Sequence, residues 1–155
     1  MWVPPEDVDP GLLHHPTRKS VGYFGAVRLR DGKFVFQREE KKFNAVTFHT
    51  FLKHLWKVSS RSGRRVALII DNARYHQAKL HFDWRNQRSP HFALHFLPPY
   101  SPDLNPIEHL WKLTRRLCLH NRYFPTLEDI VDSVETKFSH WTSGNEVVRR
   151  LCAVI

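Results

Sequence analysis

The period of the apolar positions changes several times along the chain, and each change marks an element. Val21–Arg30 is mostly apolar and β-prone. Asp31-Gly32 interrupts it, and Lys33–Arg38 resumes it with Phe34 and Phe36 alternating against polar neighbours. Two such runs around Asp-Gly predict a β-hairpin, with Asp31 as a turn residue. From Asn44 the period lengthens. Phe48, Phe51, Leu52, Leu55 and Trp56 recur at i, i+3, i+4, i+7 and i+8, the buried stripe of an amphipathic helix. Asn44 suits its N-cap, and Ser59 to Gly63 stops it. Val66–Ile70 is a short unbroken apolar run, which predicts a strand covered on both faces, as in a parallel sheet flanked by helices. It ends abruptly at Asp71-Asn72. Residues 76–88 read as a polar helix and His91–Leu97 as another strand.

A rigid loop follows, because Pro98, Pro99 and Pro102 fix φ and remove donors. It leads into a well-marked helix. Asn105 is placed to cap it, Pro106 suits its first position, and Glu108 falls at the third. Ile107, Leu110, Trp111, Thr114, Leu117 and Cys118 form its expected buried stripe. A further helix is expected over about Leu127–Trp141 with Thr126 as cap, and a short one over about Asn145–Cys152. Residues 1–19, rich in Pro, Asp and His, read as an irregular lead-in. The order hairpin, helix, strand, helix, strand, helix, helix predicts one α/β layered domain over 1–155, with a mixed sheet.

Charge narrows the partner. Twenty-four Lys and Arg against fifteen Asp and Glu give a formal +9 and a pI near 9.9. That balance favours an anionic partner, nucleic acid above all, although a merely soluble basic protein has the same composition. Arg61, Arg64 and Arg65 cluster where a phosphate backbone or plain solvent would suit them. The two cysteines, Cys118 and Cys152, lack zinc-binding spacing and fit buried thiols in a reducing cytoplasm. No apolar run approaches the roughly 20 residues of a membrane span, and Met1-Trp2-Val3-Pro4-Pro5 is not a secretory signal.

Two acids stand at special places. Asp71 lies just past the carboxyl end of an apolar strand, where open α/β sheets place their ligands. Glu108 lies in the first turn of the helix after the Pro-rich loop. Thirty-six residues, 72 to 107, separate them. Mg²⁺ prefers carboxylate oxygens, and two such ions activate the attacking oxygen and stabilise the leaving one in phosphoryl transfer. Plainer alternatives stay open. Asp71 could cap the following turn, and Glu108 could close a capping box with Asn105 or pair with Lys112 one turn later.

The residues around these acids resemble a known family. Ile69-Ile70-Asp71-Asn72-Ala73-Arg74-Tyr75-His76 is similar to the D-N-x-x-x-H segment of mariner-like and related insertion-sequence transposases. Leu97-Pro98-Pro99-Tyr100-Ser101-Pro102-Asp103-Leu104-Asn105-Pro106-Ile107-Glu108-His109-Leu110-Trp111 resembles their L-P-P-Y-S-P-x-L-N-P-I-E-x-x-W segment. The resemblance implies a ribonuclease H-like fold, and a DDE endonuclease that cuts transposon ends and joins them to target DNA. It also implies two Mg²⁺ or Mn²⁺ ions held by an acidic triad. Asp71 would be the second acid and Glu108 the third, at the family's usual spacing. His76, Lys112, Arg115 and Arg116 join the arginine cluster as candidate DNA contacts. A cytoplasmic, nucleoid-associated place without a membrane follows.

The same resemblance implies a departure. Trp2 resembles a Trp-containing segment that follows the family's first Asp, so that Asp and the central first strand are expected upstream of Met1. Asp7, Asp9 and Asp31 are poor substitutes for it. A truncated copy would expose unpaired strand edges, which tend to pair with another chain; a second copy, giving a homodimer, is one such partner. The alternative activity class is a nucleic-acid-binding remnant without catalysis.

Overall fold

A computed structural model of the protein describes residues 20–153. In chain order they form β1 (Gly22–Val27), β2 (Phe34–Glu39), α1 (Ala45–Ser59), β3 (Val66–Ile70), α2 (Lys79–Asn86), β4 (Phe92–Phe96), α3 (Ile107–Thr114), α4 (Leu127–Ser139) and α5 (Glu146–Leu151). The four strands carry both pairings of a mixed sheet, in two separate two-stranded ladders. The chain divides into two compact units. One joins the described residues up to Glu40 with those from Pro106 onward; the other is Lys41–Asn105.

In the first unit β1 and β2 pair antiparallel, with Gly22 opposite Glu39 and Val27 opposite Phe34. The connection is a six-residue loop, Arg28–Lys33, longer than a tight Asp-Gly turn. Asp31 is its turn residue, as expected. Its carboxylate accepts from Arg28 Nε at 2.8 Å and from the Lys33 amide at 3.2 Å. Gly32 takes φ 71°, which an L side chain resists. The hairpin turns Tyr23 and Phe34 onto α3 and α4, where Phe34 meets the rings of Trp111, Phe138 and Trp141 edge-on. Leu110, Leu119, Ile130, Val134 and Val148 complete this core.

The start of α3 differs from the expectation. Pro106 occupies the N-cap position, no side chain caps the helix, and Glu108 falls second instead of third. Asn105 is buried but does not cap. Farther on, Arg115–Leu119 winds as a π-helical turn. The extra residue per turn shifts the stripe, so Leu119 is buried and Leu117, expected inside, is exposed. The Thr126 hydroxyl caps α4 through the Asp129 amide, and the Asn145 side chain caps α5 through the Val148 amide.

In the second unit Asn44 and Thr47 form a reciprocal capping box for α1. A 3-10 turn and Gly63, at φ 68°, end the helix. β3 and β4 pair parallel, Val66 opposite Phe92 and Ile70 opposite Phe96. One face of the ladder receives α1 and α2 through Trp56 and Trp84, whose rings meet Phe92 at 5.7 and 5.1 Å. The other face corrects the sequence reading. Ala67, Ile69 and His95 are exposed there, so within this unit, among the described residues, β3 is covered on one face only. Among the described residues, no helix is long and apolar enough to cross a membrane.

Candidate functional site

The β3–β4 ladder sets up the first half of the site. Asp71 is the residue after β3, and a 3-10 turn, Arg74–Gln77, follows it. That turn brings His76 back beneath the carboxylate. His76 Nδ1 lies 2.8 Å from Asp71 Oδ1 and 3.1 Å from the Asp71 carbonyl oxygen. Both oxygens can only accept, so Nδ1 carries the proton. The Ala73 amide donates to the same Oδ1 at 3.1 Å, which is the Asx-type turn left open by the sequence. Oδ2 takes no hydrogen bond from the described residues. The His76 bond, with its charge and the Ala73 amide behind it, outweighs partial burial and holds the Asp71 carboxyl down to about 2. Asp71 is therefore an ionised, half-exposed carboxylate with one oxygen fixed.

The second layer is aromatic. Phe48 packs on the His76 ring at 4.3 Å and Tyr75 meets it at 4.5 Å. Burial, helped by the Asp71 charge, pushes the Tyr75 phenol well above its usual range. The buried His81 donates from Nε2 to the Tyr75 carbonyl at 2.8 Å, which leaves its Nδ1 to accept from His49 Nδ1 at 3.4 Å. Burial lowers the pKa of both imidazoles. This chain from α1 through α2 braces the turn that carries His76. Periodicity did not reveal it. The only signal was the five-residue step from Asp71 to His76.

Residues after β4 leave from the same end of the ladder, since the Leu97 amide bonds to the Ile70 carbonyl at 2.8 Å. The loop that follows holds Tyr100 at φ 56°, with its side chain fully exposed. A non-glycine residue in this left-handed region costs about 1–2 kcal/mol.

Glu108 belongs to the other unit. It sits in the first turn of α3, half-buried, with no cap interaction and, among the described residues, no ion pair with Lys112. Both structural alternatives for this carboxylate are thus unformed. Lys112 and Arg116 are exposed, and Arg115 is half-buried in the π-helical turn.

Other expected contacts lie elsewhere. Arg61, Arg64 and Arg65 are exposed but precede β3, at the end of the ladder opposite Asp71. Five strand residues put them roughly 16 Å away. His76 was expected on the DNA-facing surface; it is instead 5% exposed and spends Nδ1 on Asp71. Asp31 is committed to Arg28. Trp2, Asp7 and Asp9 lie outside the described residues. Among the described residues no three His, Cys, Asp or Glu side chains gather as a metal site requires.

Comparisons with known proteins show the family. The family model of the DDE superfamily endonucleases matches residues 1–131. An uncharacterized protein of Sinorhizobium fredii, y4pE/y4sA, is 36% identical over 81 residues, 51% of this chain and 56% of that protein. An uncharacterized 39 kDa protein of insertion element IS630 from Shigella sonnei is 27% identical over 110 residues, 71% of this chain but 31% of its own length. The chain thus spans about half and about a third of these relatives. In the crystal structure of the Mos1 strand transfer complex, one chain superposes with a TM-score of 0.67 at 23% identity. It covers 89% of this chain and 41% of its own, and the fold is shared at that level.

Proposed function

The chain belongs to the DDE superfamily endonucleases, and from that premise we propose that it is the catalytic domain of a transposase, cutting DNA at element ends and joining them to a target. The observation that carries this reading is the Asp71 carboxylate: ionised, at the carboxyl end of a parallel ladder, with Oδ1 fixed by His76 and Ala73 and Oδ2 left over. A DNA partner is further supported by the +9 charge and by the strand transfer complex in which the similar Mos1 chain was solved. The chain then works where the DNA is, on the cytoplasmic nucleoid.

Asp71 and Glu108 are the residues that would hold a divalent metal. They fit one: both offer hard carboxylate oxygens, Glu108 makes no cap bond, and Asp71, whose Oδ1 is taken by His76 and by the Ala73 amide of the Asx-type turn, keeps Oδ2. Bound Mg²⁺ or Mn²⁺ would supply charge neutralisation at the scissile phosphate and a more acidic attacking hydroxyl. The chain's own part is to fix Asp71 through His76, to keep that carboxylate ionised, and to draw in the phosphate backbone. Two acids would do part of a two-ion site, and a complete one would need a further carboxylate.

The alternative is a domain that binds DNA without cutting it, favoured by the absence, among the described residues, of any three His, Cys, Asp or Glu side chains grouped to hold a metal ion. A cleavage assay on a nicked transposon-end duplex in Mg²⁺ and in Mn²⁺ separates the two. The 155-residue chain is compared with Asp71→Ala, Glu108→Ala and the Asp7→Ala/Asp9→Ala pair. A version carrying an upstream strand that ends in Asp is run beside them. The transposase reading expects weak cleavage by the chain, strong cleavage by the extended version, and loss of both with Asp71→Ala or Glu108→Ala. Metal-dependent cleavage untouched by either substitution overturns it. DNA binding with no cleavage in any version supports the alternative.

A further inference from the structure

We propose that Tyr100 is a nucleobase-stacking residue, taking the face of an unpaired base in the DNA strand that Asp71 serves. The proposal rests on the DNA-cleaving reading above and adds a recognition element to it.

Tyr100 combines two features that folding does not explain. Its backbone sits at φ 56°, where glycine is comfortable and a tyrosine is strained. Its side chain is 101% exposed, so the ring buries nothing that could offset the strain. The loop around it is nevertheless pinned. Pro98 and Pro99 precede it and Pro102 follows. The Ser101 hydroxyl donates to the Pro99 carbonyl at 3.2 Å, and the Leu104 amide to the Ser101 carbonyl at 3.1 Å. The ring therefore projects into solvent from a stiff base. Such a residue has little backbone freedom left to lose when a ligand arrives.

Its place selects the ligand. Ile70 lies opposite Phe96 in the parallel register, and the Leu97 amide bonds to the Ile70 carbonyl. Asp71 and the Tyr100 loop thus leave neighbouring strands at one end of one ladder, in one unit. A nucleic acid strand whose backbone crosses this end of the ladder brings its bases over the Tyr100 loop. The exposed guanidinium of Arg74, three residues past Asp71, lies on the same turn. A phenol ring stacks on any base, but bases inside a duplex already have both faces covered. The fitting ligand is an unpaired or splayed nucleotide beside the cleaved bond.

The test is equilibrium binding of the full chain without metal. One probe is a blunt duplex; the other is the same duplex with a short 3′ single-stranded extension carrying 2-aminopurine. The proposal expects the wild-type chain to bind the extended probe roughly tenfold more tightly and to quench its fluorescence. Tyr100→Ala and Tyr100→Gly lose that gain and the quench, yet bind the blunt duplex as before. Tyr100→Phe and Tyr100→Trp keep both. Tyr100→Gly melts no lower than wild type, because it relieves the left-handed strain, and so excludes misfolding as the cause. Undiminished preference and quench in Tyr100→Ala overturn the proposal. Equal affinity of the wild-type chain for the two probes overturns it while leaving DNA binding intact. Failure to bind either probe overturns this inference and the DNA reading together.

Discussion

His76 donates its Nδ1 proton to Oδ1 of Asp71 across 2.8 Å, while its ring is packed between Phe48 and Tyr75. This one bond fixes the rotamer of the carboxylate and supplies the largest part of its lowered pKa. Removing a side chain that holds a ligand without touching the metal commonly costs about 10- to 100-fold in metal affinity. Here His76 also decides which of the two oxygens remains available.

His76→Ala should therefore raise the Asp71 pKa from about 2 toward its ordinary 3.8, read by carboxyl NMR titration. The folded-state pKa of Asp71 lies below its unfolded value. Its contribution to stability is then complete above pH 3.8 and is lost as pH falls through about 2. In the Ala variant that acid-side slope shrinks, with the Ala73 amide bond left in place. Mn²⁺ affinity, read by electron paramagnetic resonance, should fall about 10- to 100-fold. His76→Asn, whose amide nitrogen can stand near the Nδ1 position, should recover most of both effects. An unchanged Asp71 titration in His76→Ala would refute the positioning role.

Gly25 packs its α-carbon against the indole of Trp111 and the ring of Phe34; an added Cβ would fall inside contact distance of both. The Trp of the L-P-P-Y motif is thus a core residue that seats α3 on the hairpin, and β1 has to be smooth where it lies. Gly25→Ala should destabilise by about 1–3 kcal/mol, a Tm loss of several degrees by calorimetry. A Tm equal to wild type would show that the indole can move aside.

Much of this was legible in the chain. Helix α1 followed from five apolar positions and an Asn cap, because an amphipathic stripe against one core is what periodicity encodes. The β3–Asp71 junction followed from an apolar run that stops at an acid. What stayed hidden depends on contacts distant in sequence or on small changes of pitch. The π-helical turn that exchanges Leu117 for Leu119 adds one residue that no local pattern announces. The burial of His76 needs the Phe48 ring, which comes from another helix. Tyr100 was visible as part of a motif; its strain and exposure were not.

If the chain binds DNA as proposed, the exposed Arg61, Arg64, Arg65, Lys112 and Arg116 should carry it through phosphate contacts, with little sequence preference. If about four of them reach phosphates, affinity for a duplex should fall on the order of 10²-fold between 50 and 200 mM salt. Fluorescence anisotropy at several salt concentrations gives the slope. Lys112→Ala and Arg116→Ala should each flatten it by about one contact, and sequence-scrambled duplexes should give the same line. Binding insensitive to salt would sink this account.

The exposed face of the β3–β4 ladder makes the last prediction. Parallel strands are ordinarily covered on both faces, because their apolar runs have no polar side to offer water. Here Ile69 is 47% exposed, Ala67 lies beside it on the same face, and β3 has a strand neighbour on one edge only, among the described residues. An apolar strand whose own unit leaves one edge and one face uncovered among the described residues invites pairing with a second copy of itself. The chain should therefore self-associate as its concentration rises, seen as a concentration-dependent sedimentation coefficient. Ile69→Lys places a charge on that face without disturbing Ile70, whose side chain points into the core. It should shift the equilibrium to monomer and leave the thermal transition of dilute protein nearly unchanged. If the association goes through this face, Leu29→Lys, on an exposed position of the hairpin loop, should have no such effect. Sedimentation as a monomer at all concentrations, or equal dissociation by both variants, would show that the face is tolerated bare.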